Sequence, residues 1–190
     1  MRKLILIVHT SLDVFVAGPQ GELDGFDAAE ENLEFVCDLT ETADAALFGR
    51  KSFEILDTYW PTARDHTRAT TGEVRYSNWY NNAHKIVFSK SMTQSTRSDI
   101  TILSEITPQK ITEIKDQPGK DILIFGSPSS VQFLMKARLI DFYWIFINPV
   151  LFGKGIPLFK DFEHKIKLQL ITTKIFSNGE IALKYKSDNK

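Results

Sequence analysis

Three short clusters in this chain combine small residues with hydroxyls or cations. They are Phe48-Gly49-Arg50-Lys51-Ser52, Phe88-Ser89-Lys90 and Phe125-Gly126-Ser127-Pro128-Ser129. Each follows an apolar run that reads as a buried strand. Glycine lets the backbone turn tightly where such a strand ends. Arg50 and Lys51 then occupy the first turn of a helix, where the positive end of the helix dipole disfavours cations. The same helix end offers free N–H groups to an anion. A bound phosphate accounts for both facts; a solvated basic pair on a surface helix is the plain alternative. Ser89 and Lys90 supply a hydroxyl and a cation, which suits a terminal phosphate. Gly126 and the serines after it open a further helix, which suits close approach of a pyrophosphate. In an open parallel sheet, ligands bind outside the carboxyl ends of the strands. The three clusters therefore fall on one rim and point to a ligand with several phosphates. No G-x-G-x-x-G and no G-x-x-x-x-G-K-[ST] occurs, which argues against a standard Rossmann site or P-loop.

Other residue types are less specific. Tyr59, Trp60 and Trp79 offer flat faces to a heterocycle, although aromatic side chains more often pack on one another. Gly153-Lys154-Gly155 suits a substrate phosphate or a plain loop. His9, His66, His84 and His164 have no partner at metal-ligand spacing, so no metal site is expected. Asp24 and Asp27 precede the first helix, and Asp27 with Glu30 reads as a capping box.

The elements that must position these groups alternate between strand and helix. Lys3–Thr10 reads as a buried strand and Ser11–Phe26 as a long loop. Asp27–Glu41 carries Ala29, Leu33, Val36, Cys37 and Thr40 on one helical face. Ala45–Phe48 is a strand and Arg50–Leu56 a short helix. Residues 57–83 are polar and aromatic-rich, read as a loop plus an irregular helix inserted into the domain. His84–Phe88 and Thr101–Leu103 are strands. Thr107–Lys115 is helical, with Pro108 at its first position. Asp121–Phe125 is a strand, followed by a helix through Lys136. Phe142–Asn148 is strongly β-prone, and 149–159 is a Gly/Pro-punctuated loop. Ile166–Phe176 and Glu180–Lys186 flank Ser177-Asn178-Gly179, a strong hairpin signal. This order predicts an α/β fold: a mostly parallel central sheet, helices on both faces and a C-terminal antiparallel hairpin.

Composition bounds the partners. At 190 residues the chain fits a single domain, and a hydrophobic fraction of 43% supplies a sizeable core. A net charge of −1 argues against nonspecific nucleic-acid binding. The single cysteine, Cys37, excludes an intramolecular disulfide and reads as a buried core thiol. Leu4–Val8 is too short for a signal peptide and no run reaches transmembrane length, so a cytoplasmic protein with no membrane partner is expected.

The chain resembles the dihydrofolate reductase-like superfamily. Its nearest likeness is to the reductase domain of the bacterial riboflavin-biosynthesis deaminase-reductase and its stand-alone relatives. The matching residues are Ser11-Leu12-Asp13-Val14-Phe15-Val16-Ala17, Phe48-Gly49-Arg50-Lys51-Ser52-Phe53-Glu54, Ile124-Phe125-Gly126-Ser127-Pro128-Ser129 and the run from Leu139 to Leu151. Gly153-Lys154-Gly155-Ile156-Pro157-Leu158-Phe159 completes them.

The resemblance implies NADPH as hydride donor. It places Gly49, Arg50, Lys51 and Ser52 on the cofactor phosphates and Ser89 and Lys90 at the adenosine 2′-phosphate. Gly126, Ser127, Ser129 and Val131 would line the pyrophosphate and nicotinamide side. Ala17 and Gly18 would approach the nicotinamide ring. Asp13, at the start of the loop that covers that ring, is the first candidate on the substrate side; fixing its own loop by an Asx-turn is the alternative. Asp27 is the second. The resemblance also implies a homodimer, and a reaction close to reduction of the ribosylamino chain of a pyrimidine phosphate; a non-catalytic NADP-binding homodimer and, behind it, a dihydrofolate reductase are the alternatives. Dihydrofolate reductases place a carboxylate on the first helix, where this chain is expected to hold Leu33, and a tyrosine where it holds Val131. The riboflavin-type family follows Ser-Leu-Asp with glycine, where this chain has Val14. No H-x-E with a C-x-x-C is present, so only the reductase half of that activity is expected.

Overall fold

The computed structural model describes residues 1–27, 29–161 and 164–188. Strand β1 (Leu4–Thr10) is followed by a tight turn and a short strand β2 (Phe15–Ala17). Helix α1 (Glu30–Thr40) leads to β3 (Ala43–Gly49), and α2 (Arg50–Tyr59) starts directly after it. A 3-10 turn (Ala63–Asp65) and α3 (Thr71–Asn82) precede β4 (His84–Phe88) and β5 (Ile100–Leu103). Next come α4 (Pro108–Asp116), β6 (Asp121–Ile124), α5 (Pro128–Lys136) and β7 (Phe142–Ile147). The two-residue β8 (Ile156–Pro157) and the hairpin β9 (Leu168–Ile175) and β10 (Ile181–Ser187) close the chain.

Eight strands form one sheet in the order β5-β4-β3-β6-β1-β7-β10-β9. The first six are parallel, and β10 and β9 add antiparallel at one edge. Strand side chains alternate between faces. Leu4, Leu6, Leu47, Ile122 and Ile124 face one core, which α4 and α5 cover with Ile111, Ile114, Val131 and Leu134. Ile5, Ile7, Phe48, Val87 and Leu123 face the other, which α1, α2 and α3 cover with Val36, Cys37, Phe53, Tyr76 and Tyr80. Each fully buried aliphatic or aromatic side chain contributes roughly 1.5–3 kcal/mol. Burial also pushes the Cys37 thiol up to about 11, as expected of an inert core cysteine.

Three local expectations need correction, and a fourth, that the aromatic residues of 57–83 pack on one another, holds. Asp27 does not cap α1: the N-cap is Ala29, with no side-chain bond, and Asp27 is exposed. The helix start is held by tertiary contact instead, because Glu31 accepts hydrogen bonds from Ser177 N–H and Oγ–H at 3.1 and 3.0 Å. The loops around β1 and after β7 are not structureless, since β2 pairs antiparallel with β8. The helix within 57–83 is regular, because Thr70 and Glu73 form a full capping box at its start. Finally, the aromatic residues of this segment pack on one another. Trp60 lies 4.1 Å from Tyr76, Trp79 lies 5.3 Å from Tyr76 and 5.8 Å from Phe125, and Tyr59 lies 5.1 Å from Trp60, by ring centroids.

Candidate functional site

Strands β3 and β6 are hydrogen-bonded neighbours, yet the helices that follow them go to opposite faces: α2 to one core, α5 to the other. That divergence opens a crevice at the carboxyl ends of the two strands, the topological switch point where open α/β sheets bind ligands. Both helices begin at the crevice. Gly49, which has no side chain to cap with, is the N-cap of α2, and Ser127, the N-cap of α5, makes no side-chain bond to the helix backbone. Their first-turn N–H groups are thus left to meet an anion.

Glycine is required here by contact. Gly49 N–H donates to Gly126 O at 2.9 Å, and a Cβ on Gly49 would collide with Ser127 Oγ. A Cβ on Gly126 would stand 2.9 Å from Ser52 Oγ, and Gly126 has φ +98°, where side chains are disfavoured. The Gly126–Ser127 peptide bond is cis. Ser127 Oγ lies 3.2 Å from Ser129 Oγ and 3.4 Å from Ser130 Oγ, so three hydroxyls gather at the mouth of α5.

Charge is added from the α2 side. Arg50 Nη1 holds Glu54 at 2.7 and 2.9 Å, which leaves its Nε and Nη2 edge for another acceptor. Lys51 is exposed beside it. Strand β4 is the next neighbour, with Phe88 opposite Gly49, so Ser89 and Lys90 leave the sheet on the same rim. Ser89 Oγ accepts from Met92 N–H at 2.7 Å and fixes the turn; Lys90 is exposed. The three clusters are brought together on one edge. Val131 is not: it is 1% exposed in the core, because the fourth residue of α5 turns back toward the sheet.

The loop after β1 is clamped. Asp13 accepts from Ser11 Oγ–H at 2.6 Å, from Phe152 N–H at 3.1 Å and from Gly153 N–H at 2.7 Å. The Ser11 bond first, then the two backbone N–H groups, hold its carboxyl below the usual value against some desolvation. With these three bonds the Asp13 carboxylate clamps the two loops together. Val14, where glycine is usual, takes φ 66° and makes the turn regardless. Ala17 is buried and pairs with Ile156, and a Cβ on Gly155 would collide with Ala17 O. Gly18 N–H bonds Glu22 O at 2.9 Å. The Gly153–Phe159 motif thus holds the loop that carries Ala17 and Gly18.

A second polar cluster had no signal in the sequence beyond its residue types. Glu180 is fully buried, and it is surrounded by His9, Asn32 and Asn148 at the carboxyl ends of β1 and β7. Asn32, rather than Leu33, is the polar residue that the first turn of α1 turns toward the sheet. A concavity of about 260 Å³ lined by Met135, Tyr143, Phe159, His164 and Leu168 lies away from both clusters.

The RibD C-terminal domain family matches residues 2–182. The chain belongs to that family. YyaP of Bacillus subtilis, an uncharacterised protein, is 31% identical over 185 residues, which are 97% of this chain and 94% of YyaP. A diaminohydroxyphosphoribosylaminopyrimidine deaminase/5-amino-6-(5-phosphoribosylamino)uracil reductase of Thermotoga maritima superposes with TM-score 0.69 at 16% identity. The match covers 98% of this chain and 56% of that one. A dihydrofolate reductase of Enterococcus faecalis, complexed with NADP(H), superposes with TM-score 0.63 at 15% identity, over 98% and 96% of the two chains. The fold is that of the dihydrofolate reductases, and the family is reductase-like. Among the described residues no helix is long and apolar enough to cross a membrane.

Proposed function

We propose that this chain is an NADPH-dependent reductase of a small heterocyclic or sugar-linked substrate. Its nearest reaction is reduction of the ribosylamino chain of a pyrimidine phosphate. One observation carries the reading: two helix N-termini open into the β3/β6 crevice, with glycines where Cβ atoms would collide. The cradle fits a pyrophosphate, since it combines the N–H groups of two helix starts with three serine hydroxyls.

Strand order lays out the rest of the molecule. Ser89 and Lys90 stand on the β4 side of the crevice, where a 2′-phosphate distinguishes NADPH from NADH. Strand β1 stands on the other side, about 14 Å from β4 at ordinary strand spacing. That side is left for the nicotinamide and the substrate. When bound, the reduced nicotinamide supplies a hydride. The chain binds and orients the phosphates, and the clamped β2–β8 loop covers the ring.

Trp79 reports binding, because it packs on Phe125, the residue before Gly126. Titration with NADPH is expected to change tryptophan fluorescence and raise the melting temperature; no change in either overturns the reading. NADPH oxidation across a panel of pyrimidine, pterin and sugar carbonyl substrates then identifies the acceptor.

The chain also acts as a homodimer in this proposal. Strand β9 is a sheet edge that exposes Leu170, Ile171 and Ile175, a surface that favours pairing with a second copy. Light scattering is expected to give twice the chain mass, and Ile171→Lys to return it to a monomer.

A further inference from the structure

Glu180 has no exposed surface, although it is a carboxylate. Its neighbours explain how it is held there. His9 Nδ1 lies 2.7 Å from Oε1, Asn148 Nδ2 donates to Oε1 at 2.9 Å, and Asn32 Nδ2 donates to Oε2. These contacts follow from strand register. Ile181 pairs with Ile147, so Glu180 falls beside Asn148, and His9 pairs with Phe146 on the other side of β7. Other charged groups on this face engage elsewhere: Lys174 bridges Glu31 and lies over Phe35 and Phe176, and Lys184 lies over Phe142 and Trp144. His9 is therefore the group that can balance the buried charge directly.

His9 differs from the rest of the cluster in exposure. Its side chain is 38% exposed, while that of Glu180 is fully enclosed. The ring stacks on Phe146 at 4.6 Å, which fixes its plane. With Nδ1 held by Glu180, Nε2 is the free nitrogen. The strand that carries it, β1, is the neighbour of β6 on the side away from β4. It is the strand next to the crevice where the reductase reading places the nicotinamide. His9 projects from it onto the face covered by α1 and α2, near its carboxyl end. Asn32 Oδ1 and Asn148 Oδ1 are buried there without partners. A polar cluster with spare acceptors is unusual in a core that has only structure to maintain.

We propose that His9 is the proton donor of this enzyme and that Glu180 is its positioning residue. The inference rests on the reductase reading. A bound reduced nicotinamide would supply a hydride to the carbon of a substrate C=O or C=N bond. The π pair moves onto the oxygen or nitrogen, which takes the proton from His9 Nε2. The substrate is reduced by two electrons and the cofactor is oxidised. Neutral His9 then regains a proton from solvent at its exposed edge. Glu180 accepts from Nδ1 throughout, so it fixes the tautomer and the orientation of the ring.

Two measurements test this. The first needs no substrate: carbethoxylation of His9 by diethyl pyrocarbonate, followed by mass spectrometry of the native chain. Saturating NADPH is expected to slow the reaction at His9 by roughly fivefold or more, as a bound ring covers a half-exposed side chain. 2′-Phospho-ADP-ribose, which lacks the nicotinamide, should leave it unchanged. His84, at the far end of β4, is the internal control. The second measurement is kinetic. His9→Gln should lower kcat by about 10²–10⁴-fold with KM nearly unchanged. Glu180→Gln should lower kcat less, and Glu180→Asp should restore part of it. Unchanged His9 reactivity in a chain that binds NADPH overturns the proton-donor role alone, as does His9→Gln at full kcat. Failure to bind NADPH at all overturns the reductase reading and this inference with it.

Discussion

Replacing Arg50 and Lys90 together by alanine weakens NADPH by about 10²–10³-fold and NADH by only a few-fold. A charge-assisted hydrogen bond to phosphate contributes roughly 1.5–3 kcal/mol. Exposure and competition reduce this here: the Arg50 side chain is 39% exposed and shares its Nη1 with Glu54. About 3–4 kcal/mol for the pair corresponds to the stated range, at 1.4 kcal/mol per tenfold. The selectivity comes from position. Gly49 and Phe88 are opposite one another, so Arg50 and Lys90 leave adjacent strands on the adenosine side of the crevice. In the proposed binding mode the pyrophosphate meets backbone N–H groups and serines that the double variant leaves in place. Fluorescence titrations of both cofactors at one ionic strength make the comparison. Equal losses for the two refute the 2′-phosphate assignment.

Asp99→Ala destabilises the fold by about 3–5 kcal/mol, the expected result of leaving one partner of a buried ion pair alone. The orphan is Lys85, which is 0% exposed, donates to Asp99 Oδ2 at 2.9 Å and lies 4.8 Å from the Tyr80 ring centroid. Burial lowers the Lys85 ammonium below its usual range even with Asp99 beside it. Desolvation therefore outweighs the pairing, and Lys85→Met should be neutral or stabilising. Asp99 stays satisfied in that variant, because Arg97 holds both its oxygens and bridges to Asp57. The melting temperature of Asp99→Ala should fall by roughly 6–20 °C for a chain of this size. Thermal melts of the two variants side by side check the asymmetry, and equal losses contradict it.

The same pair sets an acid limb. Hydrogen bonds from Arg97 first, opposed by burial and aided by Lys85, hold the Asp99 carboxyl well below the usual carboxylate range. A depressed folded-state value means that the stabilisation is complete above the unfolded value, near 4. It is lost as pH falls through the folded value. Native protein should lose stability steeply below about pH 4, and Asp99→Ala should show a shallower acid limb.

Much of the rim at the ends of β3, β4 and β6 was legible in the chain because it depends on local chemistry. An apolar run followed by glycine and a cation or hydroxyl is a strand, a turn and a helix start within a few residues, and β3 with α2 formed as the pattern predicts. The hairpin around Asn178-Gly179 was equally plain. Local logic misled at Asp27, where a good capping sequence lost to the contact between Glu31 and Ser177. It also misled at Val131, whose helical phase, not its distance from Gly126, decides where it points.

Glu180 looks in the sequence like a polar residue leaving a hairpin turn, and His9 like the solvent end of a strand. Neither spacing nor periodicity joins two residues that lie 171 positions apart. The sequence by itself determined the alternation of elements, the two cores and the three small, hydroxyl- or cation-bearing clusters on one rim, because each follows from the periodicity and turn chemistry of neighbouring residues. Only the tertiary structure decided that β10 would pair with β7 in the register that buries Glu180 against Asn148, Asn32 and His9. Strand order and register are properties of the whole sheet, and they convert residues without a local signal into the one buried carboxylate–imidazole pair on this rim among the described residues.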